Sequence, residues 1–274
     1  MNPNDENMLS FIKYQGTGND FIIIDDWEKE WVYRLGQKEI KRMCDRHFGV
    51  GADGLMLLQK DSEVDYNMVY YNADGRESTL CGNGSRCLAH FAHEKGRISG
   101  SGLFRAVDGL HKVEIRENGI VDLEMRPVMD LKKVSADWEV NTGSPHYVKF
   151  VEQVDLVPVV EWGQTIRNQP NYRKEGINVN FVQRLKRGIQ VRTYERGVEN
   201  ETLSCGTGVT ASALSFAKEL KENASSVDVV TKGGKLSVRY EKESDGFTGI
   251  WLCGPATPVF SGVIDPVSLD MEIL

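Results

Sequence analysis

The chain has 274 residues, of which 40% are hydrophobic and 27% are charged, and its formal net charge is −7. This length can form the cores of two domains, and the composition is typical of a globular protein. The Lys and Arg residues are scattered, which argues against nucleic acid as a partner and favours a small-molecule substrate. Residues 1–7 are polar and no run of about 18 apolar residues follows, so we expect a cytoplasmic protein without a membrane partner.

The cysteines argue against a disulfide framework and against a zinc site. Five cysteines occur, at positions 44, 81, 87, 205 and 253. The number is odd, no Cys-x-x-Cys pair occurs, and no secretory signal indicates an oxidising compartment. Cys81 and Cys87 have five residues between them, wider than the usual spacing of close zinc ligands. We therefore expect no metal.

In chain order, the first half is predicted to alternate short strands with two helices. Strands are predicted at residues 11–14, 21–25, 55–59, 66–71, 103–107, 112–116 and 120–125, and helices at residues 38–45 and 85–95. Gly16 and Gly18 permit a tight turn after the first strand, and Gly96 is a suitable end for the second helix. Asn118-Gly119 is a strong hairpin signal between the last two strands.

The second half repeats the order of the first. Residues 142–144 follow residues 17–19 by 125 positions (142 − 17), and Cys205 follows Cys81 by 124 (205 − 81). Similar offsets relate Gly51 to Gly176, Gly109 to Gly234 and Val113 to Val238. A nearly constant offset predicts a duplicated unit of strands around one helix. We divide the chain into domains at 1–127 and 128–261, with residues 262–274 packing back onto the first domain.

Each repeat contains a cysteine directly before Gly-x-Gly and a predicted helix. The segments are residues 81–84 and 205–208. A helix N-terminus binds anions and lowers the pKa of a thiol. One thiolate and one thiol on opposite faces of a carbon can invert it, and helix N–H groups can stabilise charge that develops on an adjacent carboxylate. A two-fold relation between the repeats would bring both helix N-termini to one cleft.

Longer motifs around these cysteines resemble the diaminopimelate epimerase family. They are residues 16–21, 49–54, 72–75, 81–84, 176–181, 194–197 and 205–208. The resemblance implies cofactor-independent interconversion of LL- and meso-2,6-diaminopimelate, in the route to lysine and peptidoglycan precursors, by a homodimer. It also implies an α+β fold of two similar tandem domains. Each would be a barrel-like, mostly antiparallel sheet around a central helix, with the active site in the cleft between the domains.

The resemblance implies a role for each matching residue. The acid/base pair would be Cys81 and Cys205. The reacting carboxylate would be held by Gly82, Asn83, Gly206 and Thr207, and Glu195 would accept a hydrogen bond from the reacting ammonium. The distal amino acid group would be held by Asn19, Asn72, Asn178 and Arg196. His146 and Glu195 resemble the pair that tunes the cysteines. Ser144 and Gly54 depart from the family pattern: many members have Asn at the position of Ser144, and some have Gln at the position of Gly54.

Other interpretations of these residues remain open. A cysteine before a helix is usually an inert buried thiol, but two in matching repeat positions favour chemistry. Cys44, Cys87 and Cys253 lie in apolar patterns, and we expect them to be inert. Glu195 and Arg196 could instead form an exposed ion pair, and His146 could cap a turn.

Two other functions compete with diaminopimelate epimerisation. A proline or hydroxyproline racemase would share the two-thiol chemistry. The Asn and Arg residues assigned to the distal group argue against it, because a cyclic imino acid has no second amino acid end. A non-catalytic module that binds anions or senses oxidants through its cysteines is the alternative from another class.

Overall fold

A computed structural model describes residues 8–78, 80–220 and 224–266. The chain forms two compact units. Unit 1 consists of Met1–Val121 and Ala256–Leu274, and unit 2 of Asp122–Pro255. The domain boundaries placed after residues 127 and 261 stay a prediction, and residues 267–274 of the predicted C-terminal return lie outside the described residues.

Unit 1 contains seven strands and three helices among its described residues. The strands are β1 (Leu9–Gly16), β2 (Asn19–Asp25), β3 (Gly54–Gln59), β4 (Tyr66–Asn72), β5 (Ser101–Ala106), β6 (Gly109–Ile115) and β17 (Thr257–Ile264), and the helices are α1 (Trp31–Arg34), α2 (Gln37–Cys44) and α3 (Gly82–Glu94). The next strand, β7 (Ile120–Met125), contains the chain boundary between the units.

The strands of unit 1 pair mostly antiparallel. Strand β1 lies between β17 and β2 and is antiparallel to both. The pairing then alternates, with β2 parallel to β3, β3 antiparallel to β4, β4 parallel to β5, and β5 antiparallel to β6. Helix α3 packs against β1, β2, β3 and β6, so strands cover it on several sides.

From Cys87 onward, the buried residues of helix α3 are small or apolar, which suits its enclosed position. Leu88, Ala89 and Ala92 are fully buried. The helix ends before Gly96, whose φ of 68° closes the last turn while its N–H donates to the carbonyl of His93 at 2.8 Å. The helix begins at Gly82, three residues earlier than predicted, because Cys81 rather than a later residue is its N-cap.

Unit 2 contains nine strands and two helices among its described residues, besides the end of β7. The strands are β8 (Leu131–Val134), β9 (Asp137–Asn141), β10 (Pro145–Phe150), β11 (Asn178–Arg184), β12 (Ile189–Glu195), β13 (Asn200–Thr202), β14 (Ser226–Thr231), β15 (Gly234–Lys242) and β16 (Phe247–Pro255), and the helices are α4 (Val159–Arg167) and α5 (Gly206–Glu219). One turn of 3₁₀ helix spans Val154–Leu156.

The strand pairing of unit 2 repeats that of unit 1. Strand β9 is antiparallel to β10, β10 is parallel to β11, and β11 is antiparallel to β12. Strand β12 is then parallel to β14, and β14 is antiparallel to β15. This alternation is the one that runs from β1 to β6. The predicted α+β fold of two similar, tandem, mostly sheet domains is therefore confirmed.

Helix α5 is the core of unit 2. It packs against β9, β10, β11, β12, β14, β15 and β16. Its buried hydroxyls are satisfied within the helix: Thr210, Ser212 and Ser215 each donate to the carbonyl four residues earlier, at 3.0, 2.7 and 2.9 Å. A helix with polar residues can therefore be enclosed by strands without leaving these hydroxyls unsatisfied.

The helices of the described residues are short. The two central helices, α3 and α5, have 13 and 14 residues. No helix in this part of the chain is long and apolar enough to cross a membrane.

Candidate active site

The two cysteines at the repeat positions are the N-caps of the two central helices. Cys81 has φ −111° and ψ 113°, and Cys205 has φ −115° and ψ 112°. The Ser85 N–H donates to the Cys81 carbonyl at 2.7 Å, and the Val209 N–H donates to the Cys205 carbonyl at 2.8 Å. The three N–H groups between each cysteine and this first bond have no carbonyl acceptor within the helix. Each thiol therefore lies at the positive end of a helix.

A glycine in each first turn lets the helix lie close to the strands. A Cβ atom at Gly84 would collide with the methyl end of Met56 on β3. A Cβ atom at Gly208 would collide with Oδ1 of Asn180 on β11. These glycines therefore set the distance between each helix N-terminus and the sheet beneath it.

In unit 1, polar side chains surround Cys81. Its Sγ lies 3.5 Å from Oδ1 of Asn19, and Nδ2 of Asn83 donates to the same oxygen at 3.4 Å. Nδ2 of Asn19 donates to Asp53 at 2.6 Å, and Oδ1 of Asn83 accepts from Arg86 at 2.9 Å. Asn19 is thus in contact with two other predicted site residues, Cys81 and Asn83.

A cluster of charged residues holds Asn19 in place. Arg46 donates to Asp20 at 2.9 and 2.7 Å and to Asp53 at 2.8 Å, and Lys13 forms an ion pair with Asp20 at 2.8 Å. Burial favours the neutral form of Asp20, but the hydrogen bonds from Arg46 and Lys13 hold the pKa of its carboxyl well below the usual range. Asp53 is therefore fixed where it binds the Asn19 amide.

Two further residues lie at the ends of neighbouring strands. Asn72 ends β4, has an exposed side chain, and is directly opposite Gly54 of β3. A Cβ atom at Gly54 would lie 2.6 Å from the ring of Tyr70 and 2.6 Å from the carbonyl of Tyr71. Glycine at position 54 therefore fits the packing, since a larger residue would require both the ring of Tyr70 and the carbonyl of Tyr71 to move.

In unit 2, a chain of neutral hydrogen bonds leads to Cys205. Its Sγ lies 3.5 Å from Oγ1 of Thr207, which lies 2.9 Å from Nε2 of His146. Nδ1 of His146 lies 3.0 Å from Nδ2 of Asn180, whose Oδ1 accepts from Thr193 at 2.9 Å. Strands β10, β11 and β12 thus each contribute one member to a network that ends at the start of α5.

The protonation state of His146 follows from its position. The side chain is fully buried, and burial, together with the positive charge of Arg196, lowers its pKa to about 3. Nδ2 of Asn180 also lies 3.2 Å from the carbonyl oxygen of Tyr147. Because a carbonyl oxygen can only accept, the Asn180 atom that faces it must be the amide nitrogen. Nδ1 of His146 is therefore the acceptor, and Nε2–H donates to Thr207.

A second cluster in unit 2 gathers residues predicted to hold the distal group. The Arg196 N–H donates to Oδ1 of Asn178 at 2.9 Å, and Nη2 of Arg196 lies 3.4 Å from Oγ of Ser144. Nη1 of Arg196 donates to the carbonyl of Glu175 at 3.1 Å. Glu195, the preceding residue, accepts from Thr202 at 2.8 Å. Arg196, Asn178 and Ser144 are thus brought together.

Several residues of these networks carried no role in the sequence prediction, among them Asp53, Arg86, Asn180 and Thr193. Arg86 had a usable signal, since it is a charged residue within the buried face of the helix that follows Cys81. Asn180 also had a usable signal. Residues two apart on a strand face the same side, and Asn180 follows the predicted site residue Asn178 by two positions.

The remaining cysteines lie in the core. Burial raises the pKa of Cys44 and of Cys87 to about 12, and burial also raises the pKa of Cys253. These thiols are therefore protonated and unreactive near neutral pH. Among the described residues, no cluster of three or more His, Cys, Asp or Glu side chains is arranged to hold a metal ion.

Comparison with known proteins identifies the family. A family sequence profile described as "Diaminopimelate epimerase" matches residues 11–128 and 139–258. The chain belongs to the diaminopimelate epimerase family. One protein named diaminopimelate epimerase, from Flavobacterium psychrophilum, is 45% identical over 257 residues, covering 93% of this chain and 100% of the relative. Another, from Aquifex aeolicus, is 38% identical over 96% of this chain and 100% of its own length.

Solved structures extend the similarity beyond the diaminopimelate epimerase family. A phenazine biosynthesis protein of the PhzF family from Bacillus anthracis has a TM-score of 0.74 at 15% identity, covering 94% of this chain and 99% of that chain. A hydroxyproline epimerase from Agrobacterium vitis has a TM-score of 0.68 at 16% identity, covering 98% of this chain and 96% of that chain. At these identities the similarity shows a shared fold.

Proposed function

We propose that this protein interconverts LL- and meso-2,6-diaminopimelate by moving a proton at the α-carbon between Cys81 and Cys205, without a cofactor. The observation that carries the proposal is the pair of cysteine N-caps. Their backbone dihedral angles agree within a few degrees, in a chain whose two halves both match the diaminopimelate epimerase profile. A single buried thiol at a helix end would not support such chemistry.

The proton balance requires one thiolate and one thiol. The thiolate removes the α-proton and becomes a thiol, and the opposite thiol donates its proton to the other face of the carbon and becomes a thiolate. The reverse reaction uses the same two groups with their roles exchanged. Cysteine suits this exchange because a helix N-terminus brings its pKa towards neutrality.

The α-proton is weakly acidic because its removal places negative charge on the adjacent carboxylate. The N–H groups of Gly82, Asn83, Gly206 and Thr207 would meet that charge at the positive ends of α3 and α5. Donors that are fixed before the reaction stabilise developing charge without having to reorganise. We assign Glu195 to the reacting ammonium group, which its carboxylate can bind.

The distal amino acid group would be held by Arg196, with Asn178 beside it and with Asn19 and Asn72 from unit 1. A guanidinium has five N–H donors, and the contacts with Glu175 and Ser144 orient this one while leaving donors for a carboxylate. A substrate with a second amino acid end uses such a cluster, whereas proline does not. This chemistry favours diaminopimelate over a cyclic imino acid.

Solvent exchange tests the proposal. The reduced protein is incubated in deuterated water with LL-diaminopimelate and, separately, with L-proline, and the α-proton is followed by NMR. We expect deuterium at the α-carbon of diaminopimelate, with formation of the meso isomer, and no exchange with proline. Exchange with proline alone would favour the racemase alternative, and no exchange with either amino acid would overturn the proposal.

The cellular setting is part of the same proposal. The reaction would supply meso-diaminopimelate for lysine and peptidoglycan precursors in the cytoplasm, by a homodimer that binds a small molecule. Light scattering coupled to size-exclusion chromatography tests the assembly. We expect twice the mass of one chain, and a mass of one chain would contradict the dimer.

A further inference from the structure

We propose that the ligand-free protein rests with Cys81 as the thiol and Cys205 as the thiolate, because the hydrogen-bond network at each sulfur has a fixed and opposite polarity. The catalytic meaning of this assignment rests on the proposed function. The assignment itself rests on which atoms can donate and which can only accept, and that differs between unit 1 and unit 2.

In unit 1, charged groups fix two amides. The carboxylate of Asp53 can only accept, so Nδ2 of Asn19 faces it at 2.6 Å and Oδ1 of Asn19 faces Cys81. The guanidinium of Arg86 can only donate, so Oδ1 of Asn83 faces it at 2.9 Å and Nδ2 of Asn83 faces Asn19. Oδ1 of Asn19 carries no hydrogen, so a hydrogen bond with Sγ of Cys81 at 3.5 Å requires the proton to be on the sulfur.

The charges around Cys81 are compatible with a thiol. The fully buried Arg86 directs its donors to the carbonyl of Gly82 at 3.2 Å and to the amide of Asn83. Asp53, with its negative charge, lies on the far side of Asn19. Cys87 on the same helix is a buried, protonated thiol. A thiolate at Cys81 would therefore face an amide oxygen, with a carboxylate behind it.

In unit 2, the polarity is opposite. The carbonyl of Tyr147 fixes the amide of Asn180, and this amide makes Nδ1 of His146 an acceptor. Nε2–H of His146 then donates to Oγ1 of Thr207 at 2.9 Å. With one lone pair of this oxygen bound to the imidazole, the hydroxyl keeps its hydrogen to donate, and the assignment places that hydrogen toward Sγ of Cys205 at 3.5 Å. A hydrogen bond that is donated to sulfur favours the thiolate.

Charged groups also lie near this network. His146 stays neutral because burial and the positive charge of Arg196 lower its pKa. Glu195, which precedes Arg196, accepts a hydrogen bond from the hydroxyl of Thr202 at 2.8 Å. Thr207 is thus a positioning residue that acts on Cys205, and Asn180 is a positioning residue that acts through His146. Cys205 would be the first base, for the isomer whose α-proton it faces.

The test is the pH dependence of alkylation in the full-length, reduced, ligand-free protein. Iodoacetamide is added at a series of pH values, and the modified peptides are quantified by mass spectrometry. Each rate is divided by its own plateau at high pH, so the midpoint reports thiolate formation and not the difference in exposure between the two sites. We expect the midpoint of Cys205 to lie at least about one pH unit below that of Cys81, which gives about a tenfold difference in thiolate fraction at pH values well below both midpoints. Equal midpoints, or a lower midpoint for Cys81, would overturn the assignment.

Variants separate the hydroxyl from general packing. We expect Thr207→Val to raise the midpoint of Cys205 by about one pH unit, the order expected for losing one hydrogen bond to a charged group, and Thr207→Ser to restore it. Thr210→Val is the matched control, because Thr210 lies one turn further along α5 and its hydroxyl donates to the carbonyl of Gly206. An unchanged midpoint in Thr207→Val, or an equal shift in Thr210→Val, would contradict the role of Thr207. The wild-type midpoints decide the assignment even if a variant does not fold.

The two proposals can fail separately. Alkylation uses no substrate, so absence of exchange with diaminopimelate would leave the thiol assignment standing. Conversely, equal midpoints would leave epimerisation possible with the resting proton on either sulfur.

Discussion

The N-termini of α3 and α5 have the same backbone and different surroundings. The N-cap dihedral angles of Cys81 and Cys205 differ by 4° in φ and 1° in ψ, and a glycine follows each cysteine by three residues. Charged side chains fix the amides around Cys81, whereas a neutral network with a buried histidine leads to Cys205. The duplication therefore preserved the placement of each thiol, while the side chains beneath it diverged.

The strand register places this divergence at matching positions. Phe21 on β2 pairs with Gly54 on β3, and His146 on β10 pairs with Asn178 on β11. The same pair of parallel strands thus carries an apolar ring and a glycine in unit 1, and an imidazole and an amide in unit 2. The proposed thiol at Cys81 and thiolate at Cys205 would use such a difference in environment.

The largest expected effect tests whether the two N-termini are both required. We expect Cys81→Ala and Cys205→Ala each to reduce net epimerisation by about 10²- to 10⁴-fold, because one face of the carbon then lacks its acid or base. The rate of meso-diaminopimelate formation measures this. Cys44→Ala in α2 is the control and should keep its activity. Activity near wild type in either active-site variant would contradict the two-base scheme.

The next effect compares the glycines in the first turns. We expect Gly208→Ala to destabilise the protein by about 1–3 kcal/mol and to reduce activity, because Asn180 is held by three partners and cannot easily move. Gly84→Ala should cost less, since the methyl end of Met56 is flexible and alanine favours the helix. Urea unfolding measures both. Equal destabilisation would show that the network around Asn180 is no more rigid than the packing around Met56.

A smaller effect isolates His146, which has phenylalanine as its counterpart in unit 1. Its folded pKa of about 3 lies below the unfolded value of about 6.5, so the unfolded chain binds the extra proton between these values. This contribution to stability is fully present above pH 6.5 and falls by up to about 1.4 kcal/mol per pH unit below it.

The measurement is the free energy of unfolding between pH 6.5 and 5, in wild type and in His146→Gln. The comparison cancels other groups with lowered pKa, such as His90. We expect the stability of the wild type to fall more steeply with acidification than that of the variant. Parallel curves would contradict a buried neutral His146.

The smallest expected effect concerns Ser144, which lies beside Arg196. Its contact with Arg196 is long, at 3.4 Å, and Arg196 keeps its bonds to Asn178 and Glu175 without it. We expect Ser144→Ala to change KM by no more than about threefold, within the range of one weak hydrogen bond. Steady-state kinetics with LL-diaminopimelate measure this. A tenfold rise in KM would show that Ser144 orients Arg196.

Local patterns predicted the elements of the fold better than their ends. The predicted helix at residues 38–45 corresponds to α2, and the predicted strand at residues 55–59 corresponds to β3. The start of α3 was placed too late because glycine has a low helix propensity, and Gly82 and Gly84 occupy its first turn. Close packing against β3 outweighs this propensity.

The site was predictable where a motif is continuous and hidden where contacts cross strands. The cysteines and the glycines after them are adjacent in sequence, so their role at a helix start could be inferred. The bond between Asn180 and His146 depends on the parallel register of β10 and β11, which joins residues 34 apart. The bond between Asp53 and Asn19 likewise joins residues 34 apart. No local periodicity indicates such pairs.

The central claim is that the two cysteines share a backbone geometry and differ in protonation. Ultraviolet thiolate absorbance of the ligand-free protein tests it directly, in wild type, Cys81→Ala and Cys205→Ala at neutral pH. We predict one thiolate per chain in wild type and in Cys81→Ala, and none in Cys205→Ala. A thiolate signal that is lost in Cys81→Ala and retained in Cys205→Ala would contradict the claim.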